Sequence, residues 1–162
     1  MSEPISLAKV TSENLIVLDY DAADKKECVN VLAERLYEAG NLRSLEEFLR
    51  AVEERESLAS TYCTMEIAIP HGISPTVISP MIAFMRLKKT IDWDGDGDSP
   101  VRYLFLISMP GQAVQGEENE HVKLLSRIAV MSLDEEFQKK WKNAQSPAQF
   151  MELLENYEET PL

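Results

Sequence analysis

The chain predicts an α/β fold, a central mixed β-sheet flanked by helices, in a single domain over residues 1–162. Three observations carry this. Five stretches have helical apolar periodicity, four of them behind a capping residue. Three short β-rich runs, at 66–69, 77–87 and 101–108, lie between the first two helices and the last three. The order is mixed instead of strictly alternating, which favours a mixed sheet over an all-parallel one. No internal repeat, low-complexity tract or linker interrupts the chain.

The first helix is expected over 24–39. Asp24 and Glu27 have capping-box spacing, Cys28, Leu32, Leu36 and Ala39 recur on one face, and Gly40 is placed to end it. The second starts at Ser44 with Glu47 three residues on. It buries Leu45, Phe48, Leu49 and Val52 and carries Glu53-Glu54-Arg55-Glu56 toward its end. A strand at 66–69 is stopped by Pro70, which fixes its own φ and biases Ile69 toward extended backbone. Pro80 marks the entrance to the β-rich 77–87 run. Residues 90–99 form an acidic loop, and 101–108 is apolar enough to be a central strand buried on both faces.

After a second loop at 110–118, a helix at about 119–132 places Val122, Leu125, Ile128 and Ala129 on one side. Asp134 caps the next helix, with Phe137, Trp141 and Ala144 inward. Ser146-Pro147 starts the last, where a proline at the first helical position suits the fixed φ. Its stripe is Phe150, Leu153, Leu154 and Tyr157.

Bulk properties exclude several classes of function. At 162 residues the chain can bury a proper core, and its 44% hydrophobic and 27% charged content is that of a soluble globular protein. No apolar run is long enough to cross a bilayer, and the N-terminus lacks the basic-then-apolar pattern of a signal peptide. A formal charge of −12 repels nucleic acid and anionic lipid. It either draws in a partner with a basic face or simply confers solubility. Cys28 and Cys63 are too few for a disulfide scaffold and are not spaced as metal ligands, which suits a reducing cytosol.

Chemistry concentrates on Glu66-Ile67-Ala68-Ile69-Pro70-His71-Gly72. His71 is expected just past a strand end, on a turn softened by Gly72, where sites gather in open α/β sheets. Imidazole is both a nucleophile and a proton carrier near neutral pH. The plainer alternative is a turn histidine bonded to backbone. The only other histidine, His121, opens an amphipathic helix. It is either a surface cap or a second group facing His71. Arg55 is either part of a solvated helix face or, beside a phosphorylated histidine, a bidentate phosphate ligand. Cys63, eight residues before His71, could form a thiol–imidazole pair, but a small buried residue is the better reading. Asp92-Trp93-Asp94-Gly95-Asp96-Gly97 matches half of a calcium loop, yet position 12 is Tyr103 inside a predicted strand. A solvated acidic turn is preferred. No metal and no organic cofactor is expected.

The run Glu54-Arg55-Glu56-Ser57-Leu58-Ala59-Ser60-Thr61, followed by Ile67-Ala68-Ile69-Pro70-His71-Gly72, resembles the fructose/mannitol class of IIA components of the bacterial sugar phosphotransferase system, the EIIA type-2 domain. The residues at 101–110, His121-Val122-Lys123-Leu124-Leu125 and the last helix resemble that family too. The likeness covers roughly residues 5–155.

The resemblance implies a cytoplasmic phosphocarrier. His71 would take a phosphoryl group from a phosphorylated HPr-like carrier and pass it to a IIB component, usually onto a cysteine, during sugar uptake. His121 and Arg55 would help hold the group. Such a protein is a phosphotransferase only in a qualified sense, being itself the covalent intermediate. The alternatives are a regulatory IIA-like protein whose phosphorylation state controls another protein, and a histidine-dependent hydrolase using His71 and His121. One departure stands out. The family usually has glycines in the bend before the strand, whereas residues 62–66 contain none, so positive φ there is costly.

Overall fold

The computed structural model of the protein describes residues 6–111 and 117–157, the side chains of 117–121 excepted. It comprises two compact units, Asn14–Gln112 and a second formed by Met1–Glu13 with Ala113–Leu162.

The first unit holds the sheet. Its strands are β1 (Ile16–Tyr20), β2 (Ile67–Ala68), β3 (His71–Ser74), β4 (Met81–Asp92) and β5 (Pro100–Pro110), and its helices are α1 (Lys25–Glu38) and α2 (Leu45–Leu58). The order is β1-β4-β5-β2, with β3 also on β5. β1 runs parallel to β4, β4 antiparallel to β5, and β2 and β3 parallel to β5, so the sheet is mixed as expected. β5 is central, and both faces of β4 and β5 are buried along most of their length. Ala83, Met85, Leu104 and Leu106 join α1 and α2 residues in the core, while Phe84 and Phe105 stack on the opposite face with ring centroids 4.9 Å apart. β1 is not among the expected elements.

Both helices start where their caps direct. The Asp24 side chain accepts from the Glu27 amide, and Ser44 from the Glu47 amide. α1 stops at a left-handed Gly40, φ 81°. The amides of Gly40 and Asn41 then reach back to the carbonyls of Tyr37 and Leu36.

The second unit contains a 3-10 turn at Leu7–Val10 and helices α3 (Glu117–Leu133), α4 (Glu135–Trp141) and α5 (Pro147–Glu155). Asp134 and Ser146 cap α4 and α5 as expected, and Phe137, Trp141, Ala144, Phe150 and Leu154 are buried. The stripe of α3 is corrected. Leu124, Ile128 and Met131 are buried, whereas Val122 is exposed. Seven of the ten residues from 122 to 131 are apolar, so two overlapping faces satisfy the same helical period and only packing selects one. Of the loop expected at 110–118, residues 112–116 lie outside the described residues. Among the described residues, no helix is long and apolar enough to cross a membrane.

Candidate functional site

The site is built where α2 crosses β3. Gly72 is buried beneath the helix, and a Cβ there would lie 3.0 Å from Phe48 Cε1 and from Val52 Cγ2. The helix therefore sits closer to the strand than any side chain would allow. Phe48, Val52 and Arg55 follow one another on the inner face at helical spacing. Because Val52 touches Gly72, Arg55 is carried one turn further along, over the neighbouring His71. Its Nε donates to His71 Nε2 at 3.1 Å, and its Nη1 donates to the Ala59 carbonyl at 2.8 Å.

This corrects the expectation that His71 stands on a turn softened by glycine. Pro70 ends β2, but its carbonyl accepts from the Ile107 amide, and His71 then opens β3 in register with Ile107. The proline interrupts the strand without ending the pairing with β5. Gly72 has no positive φ and serves close approach instead of turning.

Both ring nitrogens of His71 are engaged. Nδ1 lies 3.0 Å from the Ile69 carbonyl, which only accepts, so Nδ1 carries the proton. Nε2 then presents its lone pair, on which Arg55 donates. Half-burial pushes the imidazole pKa down from 6.5. The Ile69 carbonyl opposes this, the Arg55 charge adds to it, and the Glu56 charge opposes it weakly. The result is a neutral imidazole at pH 7 of fixed tautomer, with Nε2 as the nucleophilic atom.

The segment that bears on both partners of His71 is itself tied down. Ala59 holds Arg55, and the Thr61 carbonyl accepts from the amide of Ile69 at 3.0 Å. Glu56, one residue after Arg55 and nearly buried, accepts from the Thr61 hydroxyl and amide. Lys25 at the start of α1 bridges Glu56 (3.2 Å) and Asp94 (3.3 Å). Asp94 also accepts from Ser60 at 2.7 Å. Lys25, Glu56, Ser60, Thr61 and Asp94 are not among the expected site residues. Of these, Glu56, Ser60 and Thr61 stand within the run that carries the resemblance, which was the available signal for them.

The bend at 62–66 is a tight hairpin. Tyr62 bridges Ala68, the Cys63 amide donates to Ile67, and the Ile67 amide donates to Thr64. Its two central residues, Met65 and Glu66, have φ of 52° and 65°, the type I′ pattern that normally demands glycine or asparagine. The positive φ that the missing glycines would have eased is thus adopted without them.

The remaining expectations resolve as follows. Cys63 is exposed, with its Sγ 3.6 Å from the Thr61 carbonyl; the nitrogens of His71 are occupied by other groups. Cys28 is the buried cysteine, and burial pushes its thiol up to about 12. The acidic loop is an exposed turn that bonds largely to itself. Asp92 accepts from the Gly97 amide, Asp96 from the Asp98 amide, and the single Ser99 hydroxyl proton is shared between the two carboxylates. His121 lies in the second turn of α3, but its side chain is outside the described residues. The structure therefore brings Arg55 to His71, and no geometry joins His121 to them.

A family model described as "Phosphoenolpyruvate-dependent sugar phosphotransferase system, EIIA 2" matches residues 9–157. The fructose-specific EIIABC component of Bacillus subtilis is 27% identical over 95% of the chain, which spans only 24% of that relative's length. The fructose-specific EIIA component of Haloferax volcanii is 30% identical over 91% of the chain and 94% of its own. Among solved structures, nitrogen regulatory protein IIA-Ntr of Neisseria meningitidis superposes with a TM-score of 0.79 at 24% identity, over 91% of this chain and 97% of that one. The Escherichia coli complex of mannitol IIA with phosphorylated mannitol IIB gives a TM-score of 0.73 at 23% identity, over 89% and 96%. At these identities the structural likenesses speak for the fold.

Proposed function

The chain belongs to the EIIA 2 family of the phosphoenolpyruvate-dependent sugar phosphotransferase system, and from that premise we propose that it is a cytoplasmic IIA phosphocarrier acting through His71. The whole chain, 1–162, is taken as one IIA domain, a reading supported by a family match that runs through both compact units. The supplier is a phosphorylated HPr-like carrier. The acceptor is a IIB component, the kind of partner named in the Escherichia coli mannitol complex.

The observation that carries this reading is the bracing of the His71 ring. With Nδ1–H on the Ile69 carbonyl, the Nε2 lone pair attacks phosphorus as the donor's P–N bond breaks. No proton has to move at Nδ1, and the positive charge that spreads over the phosphorylated ring is met by the same carbonyl. Arg55, displaced from Nε2, turns its guanidinium donors to the arriving phosphoryl oxygens. The group leaves by the reverse step. His121 is proposed as a second phosphoryl-stabilising donor on the family resemblance alone. No metal or organic cofactor takes part in this step.

The test is phosphorylation by the general carrier proteins, followed by mapping. The label is expected on His71 Nε2, acid-labile and stable to base, and absent from His71→Gln. Label on His121 or a serine at wild-type rate in that variant would overturn the assignment. Transfer onward to a cysteine of a IIB component supports the transport role. A phosphoryl group that persists and alters binding to another protein would instead favour the regulatory role.

A further inference from the structure

Arg55 and Glu56 are chain neighbours on the last turn of α2, yet their side chains are sent to different tasks. Arg55 reaches His71 and Ala59, while Glu56 turns to Thr61. Neighbouring helix positions diverge by about 100°, which starts the two side chains apart, yet both are long enough to form a charge-assisted pair if nothing else engages the carboxylate. What engages Glu56 is on another helix. Lys25 Nζ binds Glu56 Oε2 at 3.2 Å and Asp94 Oδ1 at 3.3 Å, with its ammonium 4.9 Å above the centre of the buried Trp93 ring. The Lys25 and Glu56 side chains are only 29% and 9% exposed, so solvent screens this pair less than an ordinary surface bridge.

We infer that Lys25 is a positioning residue for His71: by binding Glu56 and Asp94 together, it keeps the Glu56 carboxylate on Thr61 and off the Arg55 guanidinium. The inference rests on the reading of His71 as phosphoryl acceptor and adds to it a residue outside the site. The acidic 92–99 loop acquires a role here. Asp94 holds Lys25 from one side and Ser60 from the other, so the loop fixes both the ammonium and the 59–62 segment it serves. Without Lys25, Glu56 is a poorly solvated carboxylate whose chain neighbour Arg55 holds only a neutral ring and a carbonyl. The two pair, and Arg55 is lost to the phosphoryl group. Four charged side chains bear on this balance among the described residues, one of them Asp94, which pairs with Lys25. Arg55 and Glu56 of α2 face the ring, and Lys25 of α1 faces Glu56. The strand beside His71, residues 106–109 of β5, carries no charge.

The experiment compares Lys25→Met, Glu56→Gln and the double variant in the full chain. The readouts are the rate of labelling by the phosphorylated carrier and the His71 titration followed by NMR, its signal assigned with His121→Gln. Lys25→Met is expected to slow labelling about tenfold, the scale of a small misplacement at a reacting centre. Its His71 midpoint should move to higher pH, because Glu56 draws off the Arg55 charge that lowers the ring's pKa. Adding Glu56→Gln should restore both rate and midpoint, since an amide keeps Thr61 but has no charge to offer Arg55. A merely structural bridge predicts the reverse, with the double variant at least as impaired as the single; that result overturns the inference. So does a Lys25→Met protein that labels at wild-type rate with an unmoved midpoint. Should Lys25→Met fail to fold, Glu56→Gln alone decides. Its His71 midpoint should move to lower pH, and an unmoved midpoint refutes the proposal. Because the midpoint is read without phosphorylation, absence of label on wild-type protein would sink the reading of His71 while leaving the charge relay separately tested.

Discussion

A hairpin and a strand flank the Ile-Ala-Ile-Pro segment, and they use glycine in opposite ways. At Gly72 the backbone conformation is one that any residue can adopt, yet glycine is required because Phe48 and Val52 leave no room for a Cβ. At Met65 and Glu66 the backbone is left-handed, where glycine would be at ease, yet both positions carry long side chains. The family resemblance directs attention to the missing glycines at 62–66, and the residue pattern to a softening glycine at 72. The structure reverses the emphasis: space decides at 72, and conformation is strained at 65 and 66. Glycine in a sequence marks a constraint without saying whether it is steric or conformational.

The sharpest way to break the comparison is Gly72→Val. Valine suits an extended strand, so any cost must come from the clash with α2. Overpacking of this kind costs about 1–3 kcal/mol, and the upper half of that range is expected because the Val52 backbone amide, 3.3 Å from the added Cβ, has little freedom to move. Labelling of His71 should fall with it, because lifting α2 carries Arg55 away. Denaturant melts unchanged from wild type would show that Gly72 is not serving close approach.

Next in size is Arg55→Ala, which removes what the close approach delivers. A charge-assisted hydrogen bond contributes on the order of 1.5–3 kcal/mol. Transfer to His71 should therefore slow by about one to two decades, with stability altered by no more than about 1 kcal/mol. The titration of His71 adds a second reading. Its folded pKa lies below 6.5, so its contribution to stability is complete above that pH and is lost as pH falls through the lowered value. Removing the Arg55 charge moves the ring back toward its ordinary pKa, and the acid limb of labelling should move to higher pH. An unchanged rate and an unmoved limb would place the guanidinium outside the site.

What could be read from the sequence follows the range of the interactions. Caps at Asp24, Ser44, Asp134 and Ser146 were legible because each acts within three residues of its own chain. His71 and Arg55 could be nominated separately by residue type and resemblance. Their meeting depends on the α2–β3 approach that Gly72 permits, and no spacing encodes that. β1 escaped the element order although Ile16 and Val17 are β-branched, because its parallel partner β4 lies more than sixty residues on. Lys25 gave no signal at all. It joins residues 31 and 69 positions away, and a lysine opening a helix is ordinary in isolation.

The smallest expected effect tests the strained bend itself. Holding an L residue in the left-handed region costs about 1–2 kcal/mol. Glycine escapes that cost but loses about 0.5–1 kcal/mol through its greater freedom in the unfolded chain. Glu66→Gly should therefore stabilise the protein by about 0.5–1 kcal/mol, and Glu66→Asn by less, since asparagine tolerates this backbone only in part. Glu66→Ala separates backbone from side chain. It removes the same carboxylate but leaves the strain, and should stay within about 0.5 kcal/mol of wild type. The Glu66 carbonyl accepts from the amides of both Arg102 and Tyr103, so the left-handed turn is locked to β5 and glycine should adopt it unchanged. Labelling of His71 should then be unaffected, because the hairpin reaches the ring only through Ile69. If Glu66→Ala stabilises as much as Glu66→Gly, the gain comes from lost negative charge in a chain of net charge −12, and the contrast between hairpin and strand fails.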